Sequence, residues 1–418
     1  MNIDFLKDFR PELIHSLRSY NKEKFTADLM AGIIVGIVAL PLAIAFGISS
    51  GVTPEQGIIT AVIGGFLISL LGGSTVQIGG PTGAFIVIVY GIVEQYGFEG
   101  LAIATVLAGT MLILMGALKL GTVIKFVPYP IVVGFTSGIA VTIFFTQIGD
   151  FFGLTTPKLP SDFLGKWAIY SQHFHTIDPW TTLIAVASVL IIFLMPKISK
   201  KIPGALVAIV LMTVAVYLMK TYGGIRSVET IGDRFAINTD LPEAKHIPFN
   251  LESVRLLFPS AFTIAMLGAI ESLLSATVAD GVTGHRHNSN MELVAQGVAN
   301  VVTPFFGGMP ATGAIARTMT NINNGGRTPV AGLIHAVVLL FILLFLGDLT
   351  AHIPMACLAG VLVVVAYDMS EWRTFLSLTK QSKSTLAVLL TTFLLTVIFD
   401  LTIAIEVGLL LAVFAFIK

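Results

Sequence analysis

The sequence predicts an all-α polytopic membrane protein with fourteen transmembrane segments in two inverted sets of seven, and three observations predict it. The composition is 55% hydrophobic and 11% charged, with a mean hydropathy of +0.90, whereas a soluble domain carries about 25% charged residues. Apolar runs long enough to cross a layer of ~30 Å, which takes ~20 residues or fewer when buried in protein, recur along the whole chain. Finally, the basic residues of the short loops all fall on one side of the membrane once those runs are threaded through it.

Taken in order, the runs predict helices over 26–49, 54–72, 81–95, 98–119, 122–148, 178–195, 204–222, 258–280, 289–303, 311–323, 328–347, 353–368, 384–399 and 401–417. The segment before them, 1–25, is polar and mixed in charge, without the apolar stretch of a cleavable signal peptide. The first helix is therefore expected to direct insertion, with the N-terminus cytoplasmic. Lys119, Lys125, Lys197, Lys200, Lys201, Arg286, Arg327, Arg373, Lys380 and Lys383 then lie on the cytoplasmic side. The two long loops, 149–177 and 223–257, fall outside and are mixed in sign. The second of them divides the chain into repeats over 26–222 and 258–418. Seven is odd, so the second repeat must run inverted relative to the first, an architecture of many secondary transporters. Both termini are expected to be cytoplasmic, in an inner (plasma) membrane.

Several classes are excluded early. Net charge is +0, so no basic balance points to nucleic acid. The single cysteine, Cys357, lies in an apolar run and excludes an intrachain disulfide and a cysteine-based zinc site. No HExxH and no His/Cys/Asp cluster falls at membrane depth, which argues against a membrane-embedded enzyme, a metal site or a resident cofactor.

Two stretches cannot be ordinary spanning helices. GGPTGA (79–84) opens the third segment and MPATGA (309–314) opens the tenth, the third of the second repeat. Each is a glycine and proline break followed by a short helix. Non-helical backbone at membrane depth survives only where protein buries it or it lines a wet cavity. At equivalent positions of inverted repeats the two breaks would face each other near the midplane. Their helix N-termini would then converge, with unsatisfied amides and partial positive charge directed at one point. That geometry attracts an anion.

Arg317 lies less than two turns inside the tenth segment, where burial costs about 2.5–3.5 kcal/mol even on a lenient scale. A guanidinium there needs a partner, and its planar fork suits an oxyanion such as sulfate, bicarbonate or a carboxylate. Further donors are the hydroxyls of Thr82, Thr312 and Thr318 and the amides of Gly83, Ala84, Thr312 and Gly313. The alternative is a structural arginine paired permanently with a carboxylate or with backbone carbonyls. The second intramembrane charge is Glu271, with Ser275 four residues on and on the same face. A carboxylate at this depth stays neutral unless a cation joins it, so Glu271 and Ser275 suit a proton or Na⁺ site. Pro41 frees carbonyls inside the first helix, and with Phe46 a turn later it is placed to line the cavity opposite the breaks. Asp280 reads as an interfacial helix-end residue, Asp400 and Glu406 as loop and gate-helix residues, His285 and His287 as solvated loop histidines, and His335 as a packing histidine bonded to a backbone carbonyl.

These residues carry a resemblance. The segments ELVAQGVAN (292–300), FFGGMPATGAIART (305–318) and GGRTPVAG (325–332), with LPLAIAFG (40–47) and GPTG (80–83), are similar to the motifs of the SulP, or sulfate permease, family of anion transporters. The resemblance covers nearly the whole chain. It implies a nucleobase-transporter-like fold, with segments 1–4 and 8–11 as a moving core and 5–7 and 12–14 as a gate, and a homodimer in the lipid bilayer. It places the anion site on Thr82, Gly83, Ala314, Ala316 and Arg317, with Phe46 nearby, and the coupling carboxylate on Glu271. Some relatives carry serines where this chain has Ala314 and Ala316, which puts the substrate of those relatives in doubt here. Members usually continue into a cytoplasmic STAS domain, and the chain stops at Lys418, so that domain is expected to be missing.

The expected function is secondary active transport of a small inorganic or dicarboxylate anion, coupled to H⁺ or Na⁺ by an elevator motion. In the empty carrier Glu271 would pair with Arg317, and a cation at Glu271 would release Arg317 to the anion. An uncoupled uniporter or an exchanger is the alternative.

Overall fold

The computed structural model describes residues 9–124, 127–399 and 401–417; the expected loop residue Lys125 and Asp400 lie outside these. In chain order the elements are α1 (Glu12–Arg18), α2 (Lys22–Ser49), α3 (Pro54–Leu71), β1 (Gly79–Gly80), α4 (Gly83–Ala117), α5 (Tyr129–Phe152), α6 (Phe163–His173), α7 (Pro179–Ile198), α8 (Gly204–Thr221) and α9 (Ile231–Arg234). There follow α10 (Leu251–Thr283), α11 (Ser289–Val302), β2 (Thr312–Gly313), α12 (Ile315–Asn323), α13 (Val330–Thr350), α14 (Met355–Met369), α15 (Trp372–Thr379), α16 (Lys383–Ile398) and α17 (Leu401–Ile417). Among the described residues nine helices are long and apolar enough to cross a membrane: α2, α3, α4, α5, α7, α8, α10, α13 and the run Met355–Thr379.

Local chemistry sets the helix ends. The side chains of Asn21, Asn250 and Asn288 accept from the amides of Lys24, Ser253 and Met291 and so cap α2, α10 and α11. Thr53 and Gln56 form a reciprocal cap around Pro54 at the start of α3. A separate helical turn occupies Gly121–Ile124, and α5 begins only at Tyr129, behind Pro128, and not at 122 as the apolar run suggests, because proline ends any helix running into it. α4 joins two expected helices but is broken at Gly97, whose φ of 68° is open to glycine. α10 starts seven residues earlier than expected: the Asn250 cap outweighs the polarity of its first turn.

The chain divides into two compact units, residues 1–126 with 239–345, and 127–238 with 346–418. Each is sewn by glycines that let backbones touch, the usual device where lipid offers no hydrophobic drive. In the first unit a Cβ on Gly297 of α11 would meet the Gly109 carbonyl of α4, and one on Gly36 of α2 would meet Val338 of α13. In the second, Gly134 and Gly138 of α5 lie against Thr392 and Thr396 of α16, and Gly360 of α14 lies against Ala185 and Ser188 of α7. Cys357 is buried in α14.

Within the first unit the two sequence breaks are side by side. β1 and β2 pair antiparallel, Gly79 opposite Gly313 and Gly80 opposite Thr312. The tenth segment was expected to be helical from 311, yet Thr312 and Gly313 are extended and α12 starts only at Ile315. Ladder hydrogen bonds to β1 satisfy backbone groups that a helix starting at 311 would have satisfied internally.

Candidate functional site

The site is built on this two-stranded junction. Ala314 donates its amide to the Ile78 carbonyl (2.9 Å), and Thr318 Oγ1 accepts from the Ile78 amide (3.0 Å). Asn321 Nδ2 donates to the Val76 carbonyl (2.9 Å), so the face of α12 grips the chain leading into β1. The helices that leave the junction, α4 and α12, therefore start beside one another.

Arg317 is 1% exposed. Its Nη2 donates to the carbonyl of Pro81 at 2.6 Å, while Nη1 is buried with no hydrogen-bond partner among the described residues. Glu271, on α10, is half-buried and accepts from the Thr82 hydroxyl at 3.1 Å. The expected direct pair is not formed: among the described residues no Glu271–Arg317 contact falls within 4.0 Å. The physical reason lies in the break. Backbone carbonyls freed there need donors, and Pro81 offers one to the guanidinium, while the neighbouring Thr82 hydroxyl serves the carboxylate.

The other expected donors sort into two groups. The hydroxyls are committed: Thr82 donates to Glu271, and Thr312 donates to the Gly268 carbonyl of α10 (3.0 Å). Thr318 receives the Ser275 hydroxyl (3.4 Å), so Ser275 is turned toward α12. The amides are open. Those of Gly83 and Ala84 in the first turn of α4, and of Ile315, Ala316 and Arg317 in the first turn of α12, have no acceptor among the described residues. Gly313 is held in the ladder, and Ala314 uses its amide on Ile78. Ala316 is exposed and Ala314 is buried, as is Phe46 on α2. Such an arrangement of free amides plus one uncommitted guanidinium nitrogen favours an oxyanion, because each donor gains a charge-assisted hydrogen bond.

Gly80 ties the backbone to the charge, since a Cβ there would run into Nη1 of Arg317. Gly80→Ala is expected to displace the guanidinium and lower anion affinity at least tenfold, with some loss of thermal stability because Gly80 sits at a φ of 158° that a side chain strains. Anion-dependent thermal shift of the purified protein checks this, and unchanged affinity would refute it.

One expectation about the histidines is corrected. His287 is not solvated: its side chain is 1% exposed, its Nδ1 lies 2.6 Å from Asp280 Oδ2, and its Nε2 lies 2.9 Å from Ser289 Oγ. The loop folds back so that Asp280 also receives the His287 amide, which satisfies groups that the turn would otherwise leave bare. His335 is buried, with its ring against Gly65 and the backbone carbonyl of Gly332 as its neighbour, in keeping with a packing histidine.

Sequence reasoning missed the polar groups behind the junction. Asp28 is 0% exposed and accepts from Tyr20 Oη, the amides of Arg327 and Thr328, and Thr328 Oγ1. Glu292, Gln296 and Asn300 of α11 are buried as well. Their spacing of four was the available signal, since i, i+4 and i+8 share one helix face.

A cavity of about 580 Å³ lies in the second unit and is distinct from these residues. Five of its charged residues pair among themselves: Arg234 with Asp150 (2.8 Å) and Glu229 (2.5 Å), and Lys220 with Asp233 (2.5 Å). Burial works to raise the Asp233 carboxyl, but hydrogen bonds from Lys220 and Thr230 outweigh it and hold it below its ordinary value of 3.8. A lowered folded-state value means stability present above the unfolded value and lost as pH falls through the folded one. Unfolding at decreasing pH is thus expected to show a loss below about pH 4 that Asp233→Asn removes. The effect is small, because Asp233 is 49% exposed and solvent screens the pair.

Against known proteins, the family described as the sulfate permease family matches residues 25–392. The chain belongs to the sulfate permease family. Among members, the Bacillus subtilis (strain 168) protein named "Putative sulfate transporter YvdB" is 47% identical over 402 residues, 96% of this chain and 75% of that one. The bicarbonate transporter BicA of Picosynechococcus is 35% identical over 395 residues, covering 92% and 69%. The solved transmembrane domain of a cyanobacterial bicarbonate transporter BicA superposes with a TM-score of 0.82 at 33% identity, over 94% of this chain and 98% of that one. The sulfate permease fold seen here is thus a helical polytopic membrane transporter fold, and the relatives are transporters, not enzymes.

Proposed function

We propose that this sulfate permease family member is a secondary active carrier of a small oxyanion, with H⁺ or Na⁺ as the coupling ion. The observation that carries the reading is Arg317: a buried guanidinium with one nitrogen uncommitted, set beside the open amides of two helix starts. Relatives named "Putative sulfate transporter" and "Bicarbonate transporter" support the anion class.

The site comprises Arg317, Ala316, Ala314, Gly313, Thr312, Thr82, Gly83 and Ala84, with Phe46 at its edge and Glu271 and Ser275 as the cation position. Coupling runs through the break itself. Glu271 holds Thr82 and Arg317 holds Pro81, adjacent residues of one extended stretch. A cation at Glu271 relieves its need for the Thr82 hydroxyl, and the shifted 81–82 segment hands Arg317 to the anion. The fourteen segments fall in two inverted repeats of seven, with 1–4 and 8–11 as the core and 5–7 and 12–14 as the gate. The core carries anion and cation together as an elevator, in a homodimer with cytoplasmic termini.

Uptake of labelled sulfate, bicarbonate and a small dicarboxylate into proteoliposomes, under separate Na⁺ and pH gradients, tests the reading. Accumulation of one anion under one gradient is expected. Uptake that ignores both gradients favours the uniporter or exchanger, and no uptake of any anion overturns the proposal.

A further inference from the structure

Helix α11 carries Glu292, Gln296 and Asn300 four residues apart on one buried face, and that stripe reaches both breaks. At one end, Asn300 clasps the second break: its Nδ2 donates to the Ala311 carbonyl (2.7 Å) and its Oδ1 accepts from the Ala311 amide (2.9 Å). At the other end, the Glu292 carboxylate accepts from the Gly73 amide (2.8 Å), Gln77 Nε2 (2.7 Å) and Gln296 Nε2 (2.8 Å). No cation forms an ion pair with Glu292 within 4.0 Å among the described residues. An acid buried among neutral donors alone is an expensive feature, and a packing role would be filled more cheaply by an amide.

Gln77 shows what the acid is for. The same Nε2 that serves Glu292 also donates to the Ser272 carbonyl at 3.2 Å, one residue past Glu271 on α10. Its side chain lies against the second break, where a Cβ on Gly313 would collide with the amide. One residue further on, Ile78 enters the contacts with Ala314 and Thr318. A single amide, on the chain that leads into the first break, therefore touches α11, the helix of Glu271 and the second break. Glu292 fixes which way that amide faces, because its two oxygens accept from Gly73, Gln77 and Gln296 and so hold the NH₂ of Gln77 toward the acid. The Oε1 atoms of Gln77 and Gln296 are left buried without a partner, a further sign that the acid dictates both orientations.

We propose that Glu292 is a positioning residue of the anion site, acting through Gln77 to set the first break against the helix that carries Glu271. This rests on the reading of the paired breaks as that site.

Three variants test it. Gln77→Met and Gln296→Met each remove one donor to the same carboxylate oxygen, at nearly equal lengths, but only Gln77 bridges to Ser272. In Glu292→Gln the new amide can donate to both unpartnered Oε1 atoms once Gln77 and Gln296 turn over, so the fold is kept while the bond to Ser272 is given up. The measurement is the KM and Vmax of proteoliposome uptake for labelled sulfate and bicarbonate, with the melting temperature of each purified variant. Gln77→Met and Glu292→Gln are expected to raise the KM at least tenfold, and Gln296→Met less than twofold. Loss of folded protein lowers Vmax and leaves KM in place, which separates positioning from mere stability. Equal effects of Gln77→Met and Gln296→Met, or an unchanged KM in Glu292→Gln, would overturn the proposal. An unchanged KM in Arg317→Ala would instead sink the reading of the site itself.

Discussion

Arg317→Ala is expected to raise the KM for anion uptake by about 10- to 100-fold, the loss of one charge-assisted hydrogen bond at about 1.5–3 kcal/mol. The uncommitted Nη1 is the donor that the anion would take, while Nη2 is already held by Pro81. Truncation therefore removes the charge and also frees the Pro81 carbonyl. Arg317→Lys separates the two losses. Its ammonium keeps the charge but lacks the planar fork, so it can serve the carbonyl or the anion and not both in register. An intermediate KM is expected for lysine. Equilibrium binding of labelled sulfate and bicarbonate to the purified variants checks both, and wild-type affinity in Arg317→Ala would remove Arg317 from the site.

Glu271→Gln is expected to abolish accumulation driven by a cation gradient while leaving gradient-free exchange. The glutamine oxygen still accepts from Thr82, so the junction is retained. What disappears is the charge on which a proton or Na⁺ would act. With accumulation measured at imposed Na⁺ and pH gradients, a drop from several-fold to equilibration is the predicted result. Gradient-driven uptake equal to wild type would assign the coupling elsewhere.

The family and the membrane class were legible in the sequence because both are local. Motif strings such as FFGGMPATGAIART and apolar runs between charged loops need no tertiary information. Arg317 and Glu271 stood out because a charge in an apolar run is expensive wherever it lies. Helix ends were legible at Pro54 but misjudged at Pro128 and at the Asn250 cap. They were missed where distant backbone competes, as at Thr312 and Gly313, which β1 draws into a ladder. Glu292 was overlooked because it sits in a helix with other polar residues, where one more acid looks like a solvated face.

By itself, the sequence determined that the chain is a membrane transporter with two glycine and proline breaks and two deep charges of opposite sign, since composition and chain punctuation express those directly. Only the tertiary structure decided that the charges do not pair, that the threonine hydroxyls are spent on Glu271 and on Gly268, and that free amides remain beside Arg317. Hydrogen bonds at 2.6–3.1 Å decide those allocations, and they join residues nearly two hundred positions or more apart for Arg317 and Thr82, and over forty for Thr312. Such partners compete in space, and no local pattern records which donor wins.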